Sequence, residues 1–252
     1  MKLVDIIVGT RPNFVKVAAL IKAYKTSKLV PSSFKLRLVH TGQHYHDAMS
    51  NSFFSQLSLI TPDINLNVGS GTHAKQTAEI MRRYDDLLSQ KKSHLCVVVG
   101  DVNSTVACAI TAKKLNIPVA HIEAGIRSGD DTMPEEINRI VTDSISDFLF
   151  TTSKTANENL IKEGKNKKKI FFVGNTMIDT LLANVNRLVI PEVTKNKLLK
   201  PKNYFVLTLH RPNNVDNNRQ FIKLLQVLGE LTRHWPIVFP IHPRIKKDLI
   251  II

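Results

Sequence analysis

Cysteine, acidic charge and long apolar runs are all scarce in this sequence, and each shortage removes a class of protein. Only Cys96 and Cys108 are present, one in a buried-strand pattern and one on an apolar helix, and neither has metal-ligand spacing. A disulfide framework is excluded, and both read as core thiols in a reducing compartment. No apolar run is long enough to span a bilayer. In MKLVDIIVG the charge lies too close to its short apolar stretch for a signal peptide. A cytoplasmic protein without a membrane partner is expected. Acidic residues number 21 against 35 Lys and Arg, a net charge of +14. Such an excess could serve nucleic acid, but the lysines are scattered apart from Lys162, Lys165 and Lys167 to Lys169. No aromatics are interleaved with them and no nucleic-acid motif is present. Nucleic acid is therefore not an expected partner; a lysine-heavy composition accounts for the charge. A GxGxxG fingerprint and a Walker lysine are missing too, so neither dinucleotide nor P-loop binding is supported.

What is present is a run of strand–turn–helix units, and the stretch Cys96 to Arg139 organises them. An apolar run ends in Gly100-Asp101, a helical pattern starts at Ser104, and a second apolar run ends in Glu123-Ala124-Gly125, with Arg127 close behind. In a βαβ unit the two strands are parallel neighbours, so Asp101 and Glu123 should leave one sheet edge side by side. Pro134-Glu135-Glu136 follows where the next helix should begin. Three carboxylate positions on one edge, with Arg127 and Arg139 near enough to compensate their charge, point to an enzyme. The competing reading is that these acids are helix caps and solvated turn residues.

The first strand, Leu3 to Val8, runs into Gly9-Thr10-Arg11-Pro12-Asn13 and a helix. A glycine turn there is how α/β proteins place phosphate at a helix N-terminus. Arg11 and Lys16 could supply cations to an anionic sugar or phosphate, although the local pattern alone makes Lys16 a solvated helix lysine. His40, His44 and His46 near Asp47 do not complete a ligand set, so no metal is expected. The first domain closes near residue 175, and the α/β pattern restarts at Tyr204 to Thr208 and Ile237 to Pro240. Each of these strands ends in a His-Arg element, His210-Arg211 and His242-Pro243-Arg244. Two such strands with the apolar Leu249 to Ile252 cannot cover their own faces, so the second domain is expected to be incomplete.

With these residues in view, the chain resembles the non-hydrolysing UDP-N-acetylglucosamine 2-epimerases. The motifs, in the family's order, are Gly9-Thr10-Arg11-Pro12, Thr41-Gly42-Gln43-His44, Gly100-Asp101 with Ser104-Thr105, and His121-Ile122-Glu123-Ala124-Gly125-Ile126-Arg127. They continue with Pro134-Glu135-Glu136 and Asn138-Arg139, Gly174-Asn175-Thr176 with Asp179, and Thr208 with His210-Arg211. The resemblance implies an α/β fold of two Rossmann-like domains facing a cleft, of the glycosyltransferase-B type. Residues 1–178 form the first domain and 179–252 an incomplete, nucleotide-binding second one. It implies interconversion of UDP-GlcNAc and UDP-ManNAc, for polysaccharide biosynthesis, by elimination and re-addition of UDP, without a redox cofactor and in a homodimer. Asp101, Glu123, Glu135 and His210 match the family's catalytic residues. Arg11, Lys16, Arg139 and Arg211 match its substrate-binding positions. Departures are Asn213, where members often carry Glu, and Tyr45-His46 in place of the pattern of substrate-activated members. The family's C-terminal segment that holds the uridine and diphosphate is not among the 252 residues, which would impair activity. The alternatives are a non-catalytic remnant, a hydrolysing epimerase and a glycosyltransferase.

Overall fold

Runs of β-branched and apolar residues, each closed by a polar turn, build one parallel sheet. In the computed structural model, which describes residues 1–29, 31–42, 61–195, 199–209, 218–232 and 235–241, seven strands pair in parallel. They are β1 (Lys2–Val8), β2 (Phe34–His40), β3 (Ile64–Asn65), β4 (Leu95–Val99), β5 (Val119–Ala124), β6 (Phe148–Thr151) and β7 (Ile170–Phe172). Their spatial order is β3-β2-β1-β4-β5-β6-β7. The order reverses between β1 and β4, and the carboxyl ends of strands at such a switch point border the crevice where α/β sheets bind ligands.

Strands that carry apolar side chains on both faces need helices on both faces. Val4, Ile6 and Val8 of β1, with Val97, Val99, Ala120 and Ile122, pack on Phe14, Val17 and Ile21 of helix α1 (Arg11–Thr26). The alternate residues Ile7, Cys96, Val98 and Val119 face Ile80, Tyr84 and Leu88 of α2 (His73–Gln90). Ala107, Cys108 and Ala112 of α3 (Asn103–Lys114) cover the same side. Asp5 is fully buried on that face, and Arg37 neutralises it through two bonds of 2.7 and 2.8 Å while Tyr84 Oη donates a third at 2.9 Å. Burial pushes the Cys96 thiol up to about 12 and that of Cys108 well above its ordinary value. Both are inert core thiols.

Among the described residues this unit has three further helices: α4 (Pro134–Ile145), α5 (Lys154–Lys162) and α6 (Thr176–Asn184). Thr72, Ser153 and Asn175 cap α2, α5 and α6 by accepting a backbone N–H with their side chains. Helix α6 packs on α1, where Thr180 Oγ1 donates to the Val15 carbonyl at 2.8 Å. By its contacts this first compact unit is Met1–Asn186 and the second is Arg187–Ile252.

Within the second unit, β8 (Phe205–Val206) and β9 (Ile237–Val238) pair in parallel, and α7 (Asn218–Thr232) lies between them in sequence. Its core gathers Leu209, Leu225 and Phe239 around Phe221. These strands are shorter than the sequence pattern implies, because the ladder between them extends over two residue pairs only.

Candidate active site

The switch point is built from three turns that the sheet delivers together. Val99 of β4 lies opposite Ile122 of β5 in a parallel register, so Gly100-Asp101 and Glu123 leave the same edge. The first turn, Gly9-Thr10, is locked by Asn13, whose Oδ1 accepts from both backbone amides at 3.0 Å. The Asn13 amide nitrogen reaches across to the Val99 carbonyl at 3.1 Å. One asparagine thereby ties the exits of β1 and β4.

Glu123 has a left-handed backbone, φ +71°, and the β5–β6 register slips between Ile122 and Ala124. A bulge of this kind re-aims a side chain at a strand end. Here it brings the Glu123 carboxylate onto the Lys16 ammonium, an ion pair whose partners are 13% and 10% exposed. Lys16 is therefore no solvated helix lysine. A partner 107 residues away in sequence determines its role. Gly100 (φ +68°) leaves the room for this pair, since a Cβ there would stand 3.0 Å from Lys16 Nζ.

Asp101 accepts from Arg139 Nε at 3.0 Å and Nη2 at 2.6 Å. The third arm of that guanidinium meets Glu136, and Asn138 Nδ2 donates to the Asp101 backbone carbonyl at 2.8 Å. Glu136 faces Arg139 because the two are one helical turn apart. Its other oxygen accepts the Ser128 and Gly129 amides at 2.9 and 3.1 Å. Burial works against the charge on Glu136, but the Gly129 amide, Arg139 and Ser128 outweigh it and hold the carboxyl below its ordinary range. The neighbouring Glu135 is half-buried in the first turn of α4 and has no ion pair among the described residues.

Arg127 does not compensate these carboxylates as expected. It pairs with Asp143 at 2.8 Å and Glu163 at 2.7 Å, because the turn after β5 directs it towards α4 and α5. Arg11 is exposed at the first residue of α1. His40 half-buries its ring against Phe14, with centroids 5.3 Å apart. His44, His46, His210, Arg211, Asn213, His242 and Leu249 to Ile252 lie outside the described residues. Among the described residues no cluster of His, Cys, Asp and Glu could hold a metal, and no helix is long and apolar enough to cross a membrane.

Several polar groups at this edge are not legible as site residues from spacing. Asn13 and Glu136 act on backbone amides, and the latter sits beside the glutamate that the motif singles out. Thr41 Oγ1 meets Ser104 Oγ at 2.7 Å, joining the β2 exit to α3. Asn103 accepts from Asn138 at 3.4 Å and donates to Gln76 at 2.8 Å. The adjoining depression of about 370 Å³ between α2 and α4 is lined by His73, Met81, Asn103, Ile137 and Asn138.

Residues 28–252 match the family described as UDP-N-acetylglucosamine 2-epimerase. The chain is 42% identical to a UDP-N-acetylglucosamine 2-epimerase of Methanococcus maripaludis, over 98% of its own length and 67% of that protein's. It is 39% identical to the UDP-2,3-diacetamido-2,3-dideoxy-D-glucuronate 2-epimerase of Pseudomonas aeruginosa, covering 97% of this chain and 67% of the relative. The crystal structure of Methanocaldococcus jannaschii UDP-GlcNAc 2-epimerase in complex with UDP-GlcNAc and UDP matches with a TM-score of 0.85 and 41% identity. That match covers 99% of this chain and 68% of the other.

Proposed function

Because the chain belongs to the UDP-N-acetylglucosamine 2-epimerase family, whose solved structures share its α/β fold of glycosyltransferase-B type, we propose that it interconverts UDP-GlcNAc and UDP-ManNAc. The observation that supports this most directly is the pairing at one sheet edge of Glu123 with Lys16 and Asp101 with Arg139. The C2 proton of the sugar is not beside a carbonyl, so its simple removal is very unfavourable. Elimination avoids this: a carboxylate takes the C2 proton, the C1–O bond to UDP breaks, and an acetamidoglucal forms. Protonation of C2 on the opposite face and return of UDP to C1 complete the inversion with no net redox change. Such a route needs acid/base groups near C2 and cations for the departing diphosphate.

Asp101, Glu123 and Glu135 fill the first need, and Lys16, Arg11 and Arg139 the second. A diphosphate drawn to Lys16 would bring its C1–O bond beside Glu123. The roles of His210 and Arg211 rest on the family motif alone. The same resemblance supports residues 1–178 and 179–252 as two Rossmann-like domains, a homodimer and a cytoplasmic location. Sedimentation analysis tests the assembly.

Incubation with UDP-GlcNAc in D₂O decides the reaction. The expected product is UDP-ManNAc carrying deuterium at C2. Free N-acetylmannosamine would make the chain a hydrolysing epimerase, and an unchanged substrate would refute turnover. The Pseudomonas relative favours a second reading, on the 2,3-diacetamido glucuronate. A parallel incubation with that nucleotide sugar distinguishes the two by which one exchanges its C2 proton faster.

A further inference from the structure

Beneath the switch point, one buried ring joins the two turns that carry Asp101 and Glu123. His121 of β5 and Asp143 of α4 are both fully buried, with His121 Nδ1 2.6 Å from Asp143 Oδ1. On its other side, His121 Nε2 lies 2.8 Å from the Gly100 carbonyl oxygen. A carbonyl oxygen only accepts, so Nε2 must carry a proton. The Nδ1 side could in principle be reversed, with a protonated Asp143 donating. The surroundings of Asp143 argue against it. Its second oxygen accepts from the Gly125 amide at 3.0 Å and lies 2.8 Å from Arg127 Nη1. Asp143 is therefore the acceptor, and Nδ1 is protonated as well.

From this we infer that His121 is a buried imidazolium that positions the catalytic edge, holding the Gly100-Asp101 turn against the β5 exit. Gly100 is fixed at both ends, since its amide donates to the Ile122 carbonyl at 3.0 Å while its carbonyl receives His121. Asp143 fixes Gly125, so Glu123 stands between two anchored residues, His121 and Gly125. Asp101 directly follows Gly100, and Arg139 can reach it only while the turn keeps its place. Two donors are needed at once, to a carboxylate and to a carbonyl, and a neutral imidazole supplies only one. The ring's own hydrogen bonds go to Asp143 and to the Gly100 carbonyl. It acts through the backbone.

The test has a structural and a kinetic arm, both on the full 252-residue chain. Nitrogen-15 spectra of the ring at neutral pH should show His121 with two protonated ring nitrogens, both slow to exchange. Asp143→Asn and His121→Leu should speed hydrogen exchange at the amides of residues 100–104 about tenfold or more, leaving β2 and β7 amides unchanged. The effect on turnover rests on the epimerase reading above. There kcat should fall about a hundredfold, the size of effect that misplaced catalytic groups produce, with KM for UDP-GlcNAc nearly unchanged. His121→Gln, whose amide donates from one end only, should recover part of the loss. A neutral His121 ring, or Asp143→Asn with wild-type exchange at residues 100–104, would overturn the inference. Should the wild-type chain show no epimerisation at all, the functional reading fails, and the ring spectrum and the exchange rates still decide the role of His121.

Discussion

Glu123 combines the features expected of a side chain held for chemistry: a positive φ of +71°, burial, and, among the described residues, a single cation against its carboxylate. A non-glycine residue in the left-handed region costs about 1–2 kcal/mol, and such strain persists only where the surroundings impose it. Glu123→Gln and Asp101→Asn should therefore lower turnover by orders of magnitude, about a hundredfold or more if either acts as acid or base. Circular dichroism and the gel-filtration profile should stay native. Near-normal turnover in either variant would remove that residue from the mechanism. Gly100→Ala probes the same pair from the other side. Its added methyl meets a flexible lysine tip, not backbone, so the structure can yield by displacing Lys16 from Glu123. Turnover should fall much further than stability, whose loss should stay at about 1–2 kcal/mol from the left-handed backbone. A denaturant melt beside an initial-rate assay separates the two.

At the scale of elements, the exit of β5 runs close against the backbone of α5. A Cβ at Gly125 would collide with the Ala156 carbonyl oxygen and stand 2.9 Å from the Ala156 carbonyl carbon and from Leu160 Cγ, on a backbone with φ +79°. That neighbour is α5 backbone and cannot swing aside. Gly125→Ala should destabilise by about 3 kcal/mol or more, the range of severe core lesions. Ser153→Ala, which only uncaps the same helix, should cost about 1 kcal/mol. Equal urea midpoints for the two variants would contradict the close approach. These elements were legible in the sequence because their signals are local. Thr72, Ser153 and Asn175 precede apolar periodicity, and Gly100-Asp101 and Glu123 terminate apolar runs. Lys16, Arg127, Glu136 and His121 were not legible in the same way. Each is defined by a partner on another element or by the choice between adjacent glutamates, and periodicity carries no information about partners 107 or 36 residues away.

For the molecule as a whole, charge gives the last expectation. With 35 basic and 21 acidic residues the chain carries +14 at neutral pH, and acid can only increase that. Glu136, Asp143 and Asp147 are all held below their ordinary values. Burial raises each, while the Gly129 amide and Arg139, His121 and Arg127, and the Val119 amide and Lys113 respectively outweigh it. A carboxyl with a lower value in the folded chain than in the unfolded one takes up its proton at lower pH when folded. Its stabilisation is fully present above the unfolded value, near pH 4, and is lost as pH falls through the folded one. The urea midpoint should therefore drop below about pH 4, where unfolded carboxyls begin to take up protons. General repulsion among the basic residues would give a drop of the same sign, and salt distinguishes them. At about 0.5 M salt exposed charges are screened within a few ångströms, whereas the buried Asp143 cluster is not. Asp143→Asn should then start from a lower midpoint at pH 7 and lose less than the wild type between pH 5 and 3. Parallel curves for the two proteins in high salt would assign acid unfolding to net charge alone and leave the cluster under β5 no part in it.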